Sequence, residues 1–148
     1  MSIFNVLSGL QEGSYSVATV SRASTGATFV KGTLVKTDTS GTLVAAATSA
    51  DFRQVEWVFE DLSGNSSKKY SVIFGAFEAE TDQIDDSTNG AIGAGDLLTC
   101  VAGKLAKASA NDLTAGAYLA KCIATKAAST DFSLGTPIGK VVQFRTLV

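Results

Sequence analysis

The sequence contains no histidine and only two cysteines among its 148 residues. Without an imidazole, the chain can build neither a Ser/His nor a Cys/His nucleophile pair, and it has no histidine ligand for a metal ion. It also has no side chain whose ordinary pKa lies near neutral pH. Most familiar hydrolase designs are therefore excluded, whereas carboxylate or lysine chemistry remains open.

The two cysteines, Cys100 and Cys122, are too few for a disulfide scaffold, and they lack the CxxC spacing of a zinc or redox site. Because free cysteine is among the most buried residue types, we expect both as small apolar residues of the core. The alternative is a disulfide bridge. It would require strand pairing that brings the two Cα atoms within ~7 Å, and an oxidising compartment.

Long apolar runs are also missing. No stretch approaches the ~18 to 20 continuous apolar residues that a membrane-spanning helix needs, and no lysine-led apolar segment with a cleavage site opens the chain. We therefore expect neither a membrane span nor a signal peptide. With 45% hydrophobic and 18% charged residues, the chain is long enough to bury one hydrophobic core without disulfides or metal, so we expect one domain.

The formal net charge is only −2, but it is unevenly spread. Residues 1–50 carry three basic and two acidic side chains. Residues 51–96 carry three basic and ten acidic side chains, and residues 97–148 carry six basic and two acidic ones. Such asymmetry suits docking between protein surfaces or head-to-tail contact between copies, although a solvated face would give the same pattern. The pI near 5.0 and the lack of an Arg/Lys cluster with aromatics argue against nucleic-acid binding.

The residue types of the chain favour strands, because short runs of Val, Leu, Ile, Phe and Thr are bounded by Gly, Ser, Asn and Asp. In residues 53–60, alternation places Val55, Trp57 and Phe59 on one face. Residues 114–129 also alternate, although their alanines would tolerate a helix; we expect a strand. The sequence predicts a mainly β, single-domain β-barrel or β-sandwich built of β-hairpins and meanders, with roughly eight to ten short strands and little helix. Further strands are expected at residues 29–35, 70–77 and 140–148.

Two pairs of similar four-residue segments occur along the chain. Gly-Thr-Leu-Val at 32–35 is followed by Gly-Thr-Leu-Val at 41–44, and Gly-Asp-Leu-Leu at 95–98 is followed by Gly-Lys-Leu-Ala at 103–106. Gly41 and Gly103 lie where hairpin turns need a positive φ, so each unit is expected to be a β-hairpin. Each is followed by a small polar turn and a further apolar segment, which predicts two related β-meanders.

Residues 1–13 are predicted to form an N-terminal arm, followed by a single β-rich domain over residues 14–148. Several apolar residues of the arm share one face of a short helix, yet they would serve as well in an extended arm lying on a partner. The alternative is that the arm completes the protein's own sheet. We expect partner contact through Ile3, Phe4, Val6, Leu7 and Leu10.

Residues 78–86 place five carboxylates in nine positions with no basic residue between them. They lack the spacing, the central Gly and the closing Glu of an EF-hand, so we expect an acidic loop over about residues 78–89, solvated or facing a partner, and no metal site. A glycosidase would need paired carboxylates across an aromatic-lined cleft. Glu56, Glu60, Glu78 and Glu80 are candidates for such a pair, but Trp57 is expected in the core.

The glycine-rich residues 90–96 contain neither GxGxxG nor a Walker motif. The segment that follows them is β-like, so we expect them to lead into a hairpin. The sequence therefore indicates no catalytic residue, no cofactor site and no metal site.

Three segments resemble the small β-rich capsid decoration, or cement, proteins of tailed bacteriophages: residues 93–108 (GAGDLLTCVAGKLAKA), residues 120–126 and residues 139–144. In that family a Gly-Asp-x-Leu strand, a Gly-x-Leu-x-x-Ala return strand and a terminal Gly-x-Val-x-Val/Phe strand recur. The resemblance covers about residues 29–60 and 93–148, which is over half the chain. Its motifs are turn and strand patterns rather than reactive residues, and residues 1–13 and 78–89 match nothing in it.

The resemblance implies a homo-oligomer, a trimer in preference to a dimer, that is made in the host cytoplasm and belongs to the virion. It implies binding to the outer surface of an HK97-type capsid shell, where neighbouring units of the major capsid protein are stapled together. It implies a structural protein rather than an enzyme, with no cofactor and no nucleic-acid or membrane partner. Two alternatives stay open: another virion component, such as a head fibre, tail tube or receptor-binding domain, and a carbohydrate-binding or carboxylate-based enzymatic β-domain.

Overall fold

A computed structural model describes residues 3–8, 17–24, 28–61, 69–126 and 139–147 of the chain. Within these ranges the chain forms twelve strands, one α-helix, α1 (Ala110–Ala115), and one 3₁₀ turn (Ser49–Asp51). The strands are β1 (Phe4–Ser8), β2 (Val17–Ala23), β3 (Leu34–Thr37), β4 (Leu43–Ala45), β5 (Glu56–Asp61), β6 (Lys69–Gly75), β7 (Glu78–Thr81), β8 (Ile84–Asp85), β9 (Leu97–Val101), β10 (Lys104–Lys107), β11 (Ala120–Lys126) and β12 (Val141–Thr146).

The strands form two sheets that pack face to face. The seven-stranded sheet has the order β1-β7-β12-β11-β9-β10-β8, and the five-stranded sheet has the order β2-β6-β5-β3-β4. Strands β8 and β10 pair in parallel. Among the described strands neither sheet closes on itself, so the mainly β prediction is confirmed in the form of a β-sandwich.

The core between the sheets is centred on four aromatic side chains. Trp57 of β5 stacks on Phe144 of β12 with ring centroids 5.9 Å apart, and it meets Phe77 edge-on at 5.1 Å. Phe4 of β1 contacts both phenylalanine rings. The alternation along β5 explains this placement, because Trp57 points inward together with the residues two positions away on either side. The predicted inward face of residues 53–60 is confirmed.

The opposite face of the five-stranded sheet is also apolar and buried. Val35, Val58 and Val72 are fully buried there, together with Tyr70. The Tyr70 hydroxyl accepts a hydrogen bond from the backbone N–H of Phe29 at 3.0 Å, and the two rings lie 5.4 Å apart. The segment before β3 therefore packs on this face. Val58 points away from the main core, as the alternation predicts, but it is not exposed to solvent.

The predicted internal repeat is visible in the topology. Strands β3 and β4 form a hairpin and β5 pairs with β3, while β9 and β10 form a hairpin and β11 pairs with β9. We call β3 to β5 the first unit and β9 to β11 the second unit. In a meander the third strand would pair with the second strand. The meander prediction is therefore wrong, because the third strand of each unit returns to the first strand.

In each unit, a helical turn lies between the second and third strands and connects the hairpin to the third strand. Both turns begin with a capping box, formed by Thr48 and Asp51 in the first unit and by Ser109 and Asp112 in the second. Gly116 ends α1 in the left-handed conformation, with a φ of 69°. The sequence predicts only a polar turn at residues 109–116, because six helical residues are too few for a 3.6-residue period to show.

The β9–β10 turn joins the second unit to the first. The N–H of Leu34 donates to the carbonyl of Gly103 at 2.8 Å, and the N–H of Gly103 donates to the carbonyl of Ala46 at 2.8 Å. The φ of Gly103 is +80°, and the φ of Gly41 in the turn of the first unit is +81°. The predicted hairpin turns are confirmed at both glycines.

Replacing Gly103 with alanine is expected to cost about 2 kcal/mol of unfolding free energy, and Gly41→Ala about 1 kcal/mol. Both changes impose a positive φ on an L-residue. A Cβ at Gly103 would also lie 3.2 Å from Thr33 Cγ2, whereas a Cβ at Gly41 would meet nothing within 4 Å. Urea denaturation of the two variants measures the difference. Equal losses would show that the β9–β10 turn does not pack against the first unit.

Several strand ends differ from the prediction. β3 begins at Leu34 rather than at residue 29, because Gly32 has a φ of +89° and its N–H donates to the carbonyl of Val58. The strand predicted within residues 114–129 is confirmed at β11, and those at residues 70–77 and 140–148 are confirmed at β6 and β12. Within the described part of the chain, no helix has the length and apolar character needed to span a bilayer.

Candidate functional site

The acidic residues 78–86 are not the loop that the sequence predicts. Glu78–Thr81 form β7, which pairs with β1 on one side and β12 on the other, and Ile84–Asp85 form β8. Glu80 is 8% exposed. The basic residues that balance these carboxylates lie far away in sequence, so the acidic run itself gave no sign of its partners.

Each of the five carboxylates has a partner within the chain. Those of β7 form ion pairs across the sheet, Asp82 and Asp85 hold backbone N–H groups, and Asp86 both pairs with a lysine and accepts from the N–H of Ile92. The contacts are Glu78 with Arg145 at 3.4 Å, Glu80 with Lys126 at 3.8 Å, Asp82 with the N–H of Ile3 at 2.9 Å, Asp85 with the N–H of Ser87 at 2.8 Å, and Asp86 with Lys140 at 3.1 Å. Hydrogen bonds from Thr88 and Ser87 hold the pKa of Asp85 well below its ordinary value.

These contacts also show where the acidic and basic segments of the sequence meet in the fold. Among the described residues, four ion pairs join an acidic residue of segment 51–96 to a basic residue of segment 97–148. Three of these pairs involve Glu78, Glu80 and Asp86, and the fourth links Lys107 to Asp96 at 3.6 Å. The acidic and basic segments therefore meet inside one fold, which removes the main reason to invoke head-to-tail attraction between copies.

The two cysteines are free and buried, as predicted, and the disulfide alternative is wrong. Burial, together with the nearby Asp51 carboxylate, raises the pKa of the Cys100 thiol to about 12. Its Sγ donates a hydrogen bond to the carbonyl of Thr48 at 3.0 Å. Burial also raises the pKa of Cys122. Neither thiol is poised as a nucleophile, because the reactive thiolate is disfavoured at both positions.

The carboxylates considered for glycoside hydrolysis are divided between the two sheets. Glu56 and Glu60 lie on β5 of the five-stranded sheet, and Glu78 and Glu80 lie on β7 of the seven-stranded sheet. Trp57 is 2% exposed and belongs to the core, as predicted, so its ring lines no cleft. Among the residues that the structure describes, no three Asp, Glu or Cys side chains converge as a bound metal ion would require.

The glycine-rich segment 90–96 leads into the second unit, as predicted. The N–H of Gly93 donates to the Asp96 carboxylate at 2.8 Å, and the N–H of Gly95 donates to the carbonyl of Cys122 at 2.8 Å. Cys122 in turn donates its N–H to the carbonyl of Asp96 at 2.8 Å. These amides are used within the fold instead of pointing towards a phosphate.

Of the N-terminal arm, the structure describes residues 3–8, which are extended and complete the protein's own sheet, the alternative to a free arm. Phe4 is fully buried in the aromatic core and Ile3 is 4% exposed beside Val141. Val6 is half-buried against the main core. Pairing of β1 with β7 turns Phe4 and Val6 inward, while Ile3 is buried in a separate contact with Val141, so these three positions are not free anchors for a partner. Leu7 is 44% exposed and remains available, while Leu10 lies outside the described residues.

The strongest candidate for contact with another protein is the outer face of the seven-stranded sheet. Because paired residues share a face, the register places two polar rows on the side away from the aromatic core. In one row Glu80 lies opposite both Asn5 and Gln143, and in the other Arg145 lies opposite both Glu78 and Lys121. We define the outer face by these six residues: Asn5, Glu78, Glu80, Lys121, Gln143 and Arg145.

Exposed apolar residues lie on the strands that carry the outer face. Leu7 and Ile123 occupy the bulges of β1 and β11, with 44% and 36% exposure, and Leu147 follows β12 with 45%. A face that combines exposed apolar side chains with arginine and lysine suits protein contact better than enclosed small-molecule chemistry. The sequence contains no signal for this face, because it depends on the register between strands distant in sequence.

Comparisons with protein-family models, with curated proteins and with solved structures found no significant match to the chain.

Proposed function

We propose that the chain is a virion structural protein, a capsid decoration or cement protein that binds the outer surface of a phage head and stabilises the shell of major capsid protein. One observation carries the proposal. The three segments that resemble this family fall on the four adjacent strands β10, β9, β11 and β12, so they form one continuous part of the seven-stranded sheet. Motifs scattered over 52 residues of sequence thus lie on neighbouring strands of a single sheet.

The outer face supports this proposal because it presents charges and exposed apolar groups on a rigid sheet. Lys121 and Arg145 are both exposed on adjacent strands, with Ile123 close to them in the β11 bulge. Cementing needs only modest affinity at each contact, because several subunits of one oligomer bind the lattice together. We therefore propose a homo-oligomer, with a trimer favoured over a dimer, whose subunits each direct this face towards the major capsid protein.

The proposed role requires no catalytic residue, cofactor, nucleic-acid contact or membrane contact. It places the protein on the outer capsid surface after synthesis in the host cytoplasm. The way the chain uses its ionisable groups agrees with a structural role: the clustered carboxylates hold strands and turns, and both thiols are buried.

The proposal is tested by co-sedimentation of the purified chain with capsids of a phage that lack it. Deleting residues 1–13 would be a poor test, because Phe4 belongs to the core and the truncated chain would be destabilised. Lys121→Glu and Arg145→Glu instead reverse charge on the outer face. Lys69→Glu makes the same change at an exposed position of the five-stranded sheet and serves as the matched control.

We expect saturable binding at a fixed ratio to the major capsid protein, weakened at least about tenfold by either outer-face variant and unchanged by Lys69→Glu. No binding to either immature or expanded shells would contradict the decoration role. Binding that both outer-face variants retain would keep the role but assign it to another surface. The mass and shape of the free protein, from light scattering, separate a compact trimer from the rings of a tail tube or an elongated fibre.

A further inference from the structure

A second surface feature, independent of the outer face, is a solvent-open depression in the first unit. Its volume is about 360 Å³, and it lies where the end of β3, the segment leading into β5 and the end of β6 meet. The residues that line it are Thr37, Arg53, Gln54, Val55, Glu56 and Phe74. None of them belongs to the outer face of the other sheet, and among the six only Val55 also packs against the aromatic core.

The polar side chains of the depression offer both donors and acceptors. The guanidinium of Arg53 and the amide of Gln54 are on exposed residues and donate hydrogen bonds. Glu56 is half-buried, and its Oε1 lies 3.5 Å from the Thr37 hydroxyl. Arg53 also lies over the ring of Phe52 at 5.2 Å, which restricts the orientation of the guanidinium before any ligand arrives.

We propose that this depression binds a neutral hydroxylated ring, the chemical class of a hexose or N-acetylhexosamine unit of a glycan. Hydroxyl groups both donate and accept, so they can be shared between the Glu56 carboxylate and the Arg53 and Gln54 donors. The half-buried Phe74 supplies an aromatic surface for the C–H face of such a ring. The volume lies at the small end of the range for ligand sites, which suits one or two rings.

The charges of the depression favour a neutral ligand over an ionic one. Arg53 and Glu56 bring opposite charges to the same lining. A phosphate or carboxylate ligand would gain from Arg53 but would be repelled by Glu56, and a cation would meet the reverse situation. A neutral polyol uses both groups as hydrogen-bond partners without either penalty.

A second depression, of about 330 Å³ beside β8 and β10, does not offer the same chemistry. Its carboxylates are already engaged, since Asp85 accepts hydrogen bonds from Ser87 and Thr88 and Asp86 pairs with Lys140. The proposed ligand site therefore differs from this second depression in its aromatic side chain, Phe74, and in its guanidinium and amide donors, whereas the second depression is lined by no aromatic residue and by the ammonium of Lys104. The inference does not depend on the decoration role, although such a role would display this depression on the virion surface.

The test is ligand-observed saturation-transfer NMR and calorimetry on the full chain. The probes are methyl glycosides of glucose, galactose and mannose, and N-acetylglucosamine and N-acetylgalactosamine, with glucuronic acid and inorganic phosphate as charged comparators. We expect at least one neutral sugar to bind in the millimolar range, weakened about tenfold or more by Arg53→Ala and by Glu56→Gln. Glu78→Gln makes the same chemical change on the other sheet and should leave the Kd unchanged.

Both depression variants alter partly or fully exposed side chains, and a thermal melt of each one confirms that it remains folded. The proposal is overturned if no neutral sugar saturates the protein at millimolar concentrations. It is also overturned if binding survives both Arg53→Ala and Glu56→Gln, or if only glucuronic acid or phosphate binds. Capsid co-sedimentation is a separate measurement, so loss of one function leaves the other measurable.

Discussion

Replacing Phe4 with alanine is expected to lower the free energy of unfolding by about 3–5 kcal/mol. The Phe4 ring is fully buried and lies 6.2 Å from the Phe77 ring and 6.5 Å from the Phe144 ring. Truncation would remove these contacts and leave a cavity between the two sheets, which closely packed neighbours fill only in part. Urea denaturation of the isolated protein measures the loss.

The matched control for Phe4→Ala is Leu7→Ala on the same strand. Leu7 is 44% exposed, so its truncation is expected to cost less than about 1 kcal/mol. The comparison separates two interpretations of the N-terminal residues. A Phe4→Ala variant with wild-type stability would show that β1 does not belong to the core, and the hypothesis of a partner-binding arm would then be restored.

Replacing Asp51 with alanine is expected to cost about 2–4 kcal/mol of unfolding free energy. Its Oδ1 accepts from Lys36 Nζ at 2.7 Å, and its Oδ2 accepts from the N–H of Ala47 at 3.1 Å and of Thr48 at 3.4 Å. The residue is 8% exposed. Without the carboxylate, the half-buried Lys36 ammonium and two backbone donors would lose their partner.

The control for Asp51→Ala is the equivalent capping residue of the second unit, Asp112. Its carboxylate accepts from the N–H of Ser109 at 2.9 Å and from the Ser49 hydroxyl, but no lysine pairs with it among the described residues. We expect Asp112→Ala to cost about 1 kcal/mol, the usual value for a helix cap. Equal losses in the two variants would show that Lys36 contributes nothing to the effect of Asp51.

The pKa of Asp51 predicts how this contribution changes with pH. Burial acts to raise the pKa, but the hydrogen bonds from Lys36 and from the Thr48 and Ala47 amides outweigh it, so the pKa lies below its ordinary value. A carboxyl whose folded pKa is lowered stabilises the fold above its unfolded pKa of about 3.9, and the contribution is lost as pH falls through the folded value. The stability gap between wild type and Asp51→Asn should therefore be constant near neutral pH and shrink below about pH 4.

Acid titration of stability for both proteins checks this expectation. Asp85 and Asp112 also have lowered pKa values, so the wild-type protein should lose further stability over the same acidic range. These two residues are unchanged in Asp51→Asn and serve as an internal reference. A gap that widens on acidification would contradict the assignment of the lowered pKa to Asp51.

The pairing of the acidic residues 78–86 in the fold shows why the outer face was difficult to predict from the sequence. Glu80 lies 46 residues before Lys126, and Glu78 lies 67 residues before Arg145, with which it shares a hydrogen bond. Strand pairing brings these residues onto one face of one sheet. A pattern that indicates an acidic patch along the chain therefore becomes a nearly balanced polar surface in the fold.

The sequence by itself determined the features that depend on local conformation. The absence of histidine excludes imidazole chemistry whatever the fold. Gly41 and Gly103 mark the hairpin turns because few other residues tolerate a positive φ there. The alternation around Trp57 fixes the inward face of β5, because side chains of a strand alternate with a period of two.

Only the tertiary structure decided which strands pair, and with them the environment of each charged and apolar side chain. Phe4 became a core residue, the third strand of each unit returned to the first, and the two polar rows of the outer face came together. Pairing between distant strands is set by the combined burial of both sheets rather than by any local preference. For that reason the hairpin turns and several strands were predictable from the sequence, whereas the surface that the strands build was not.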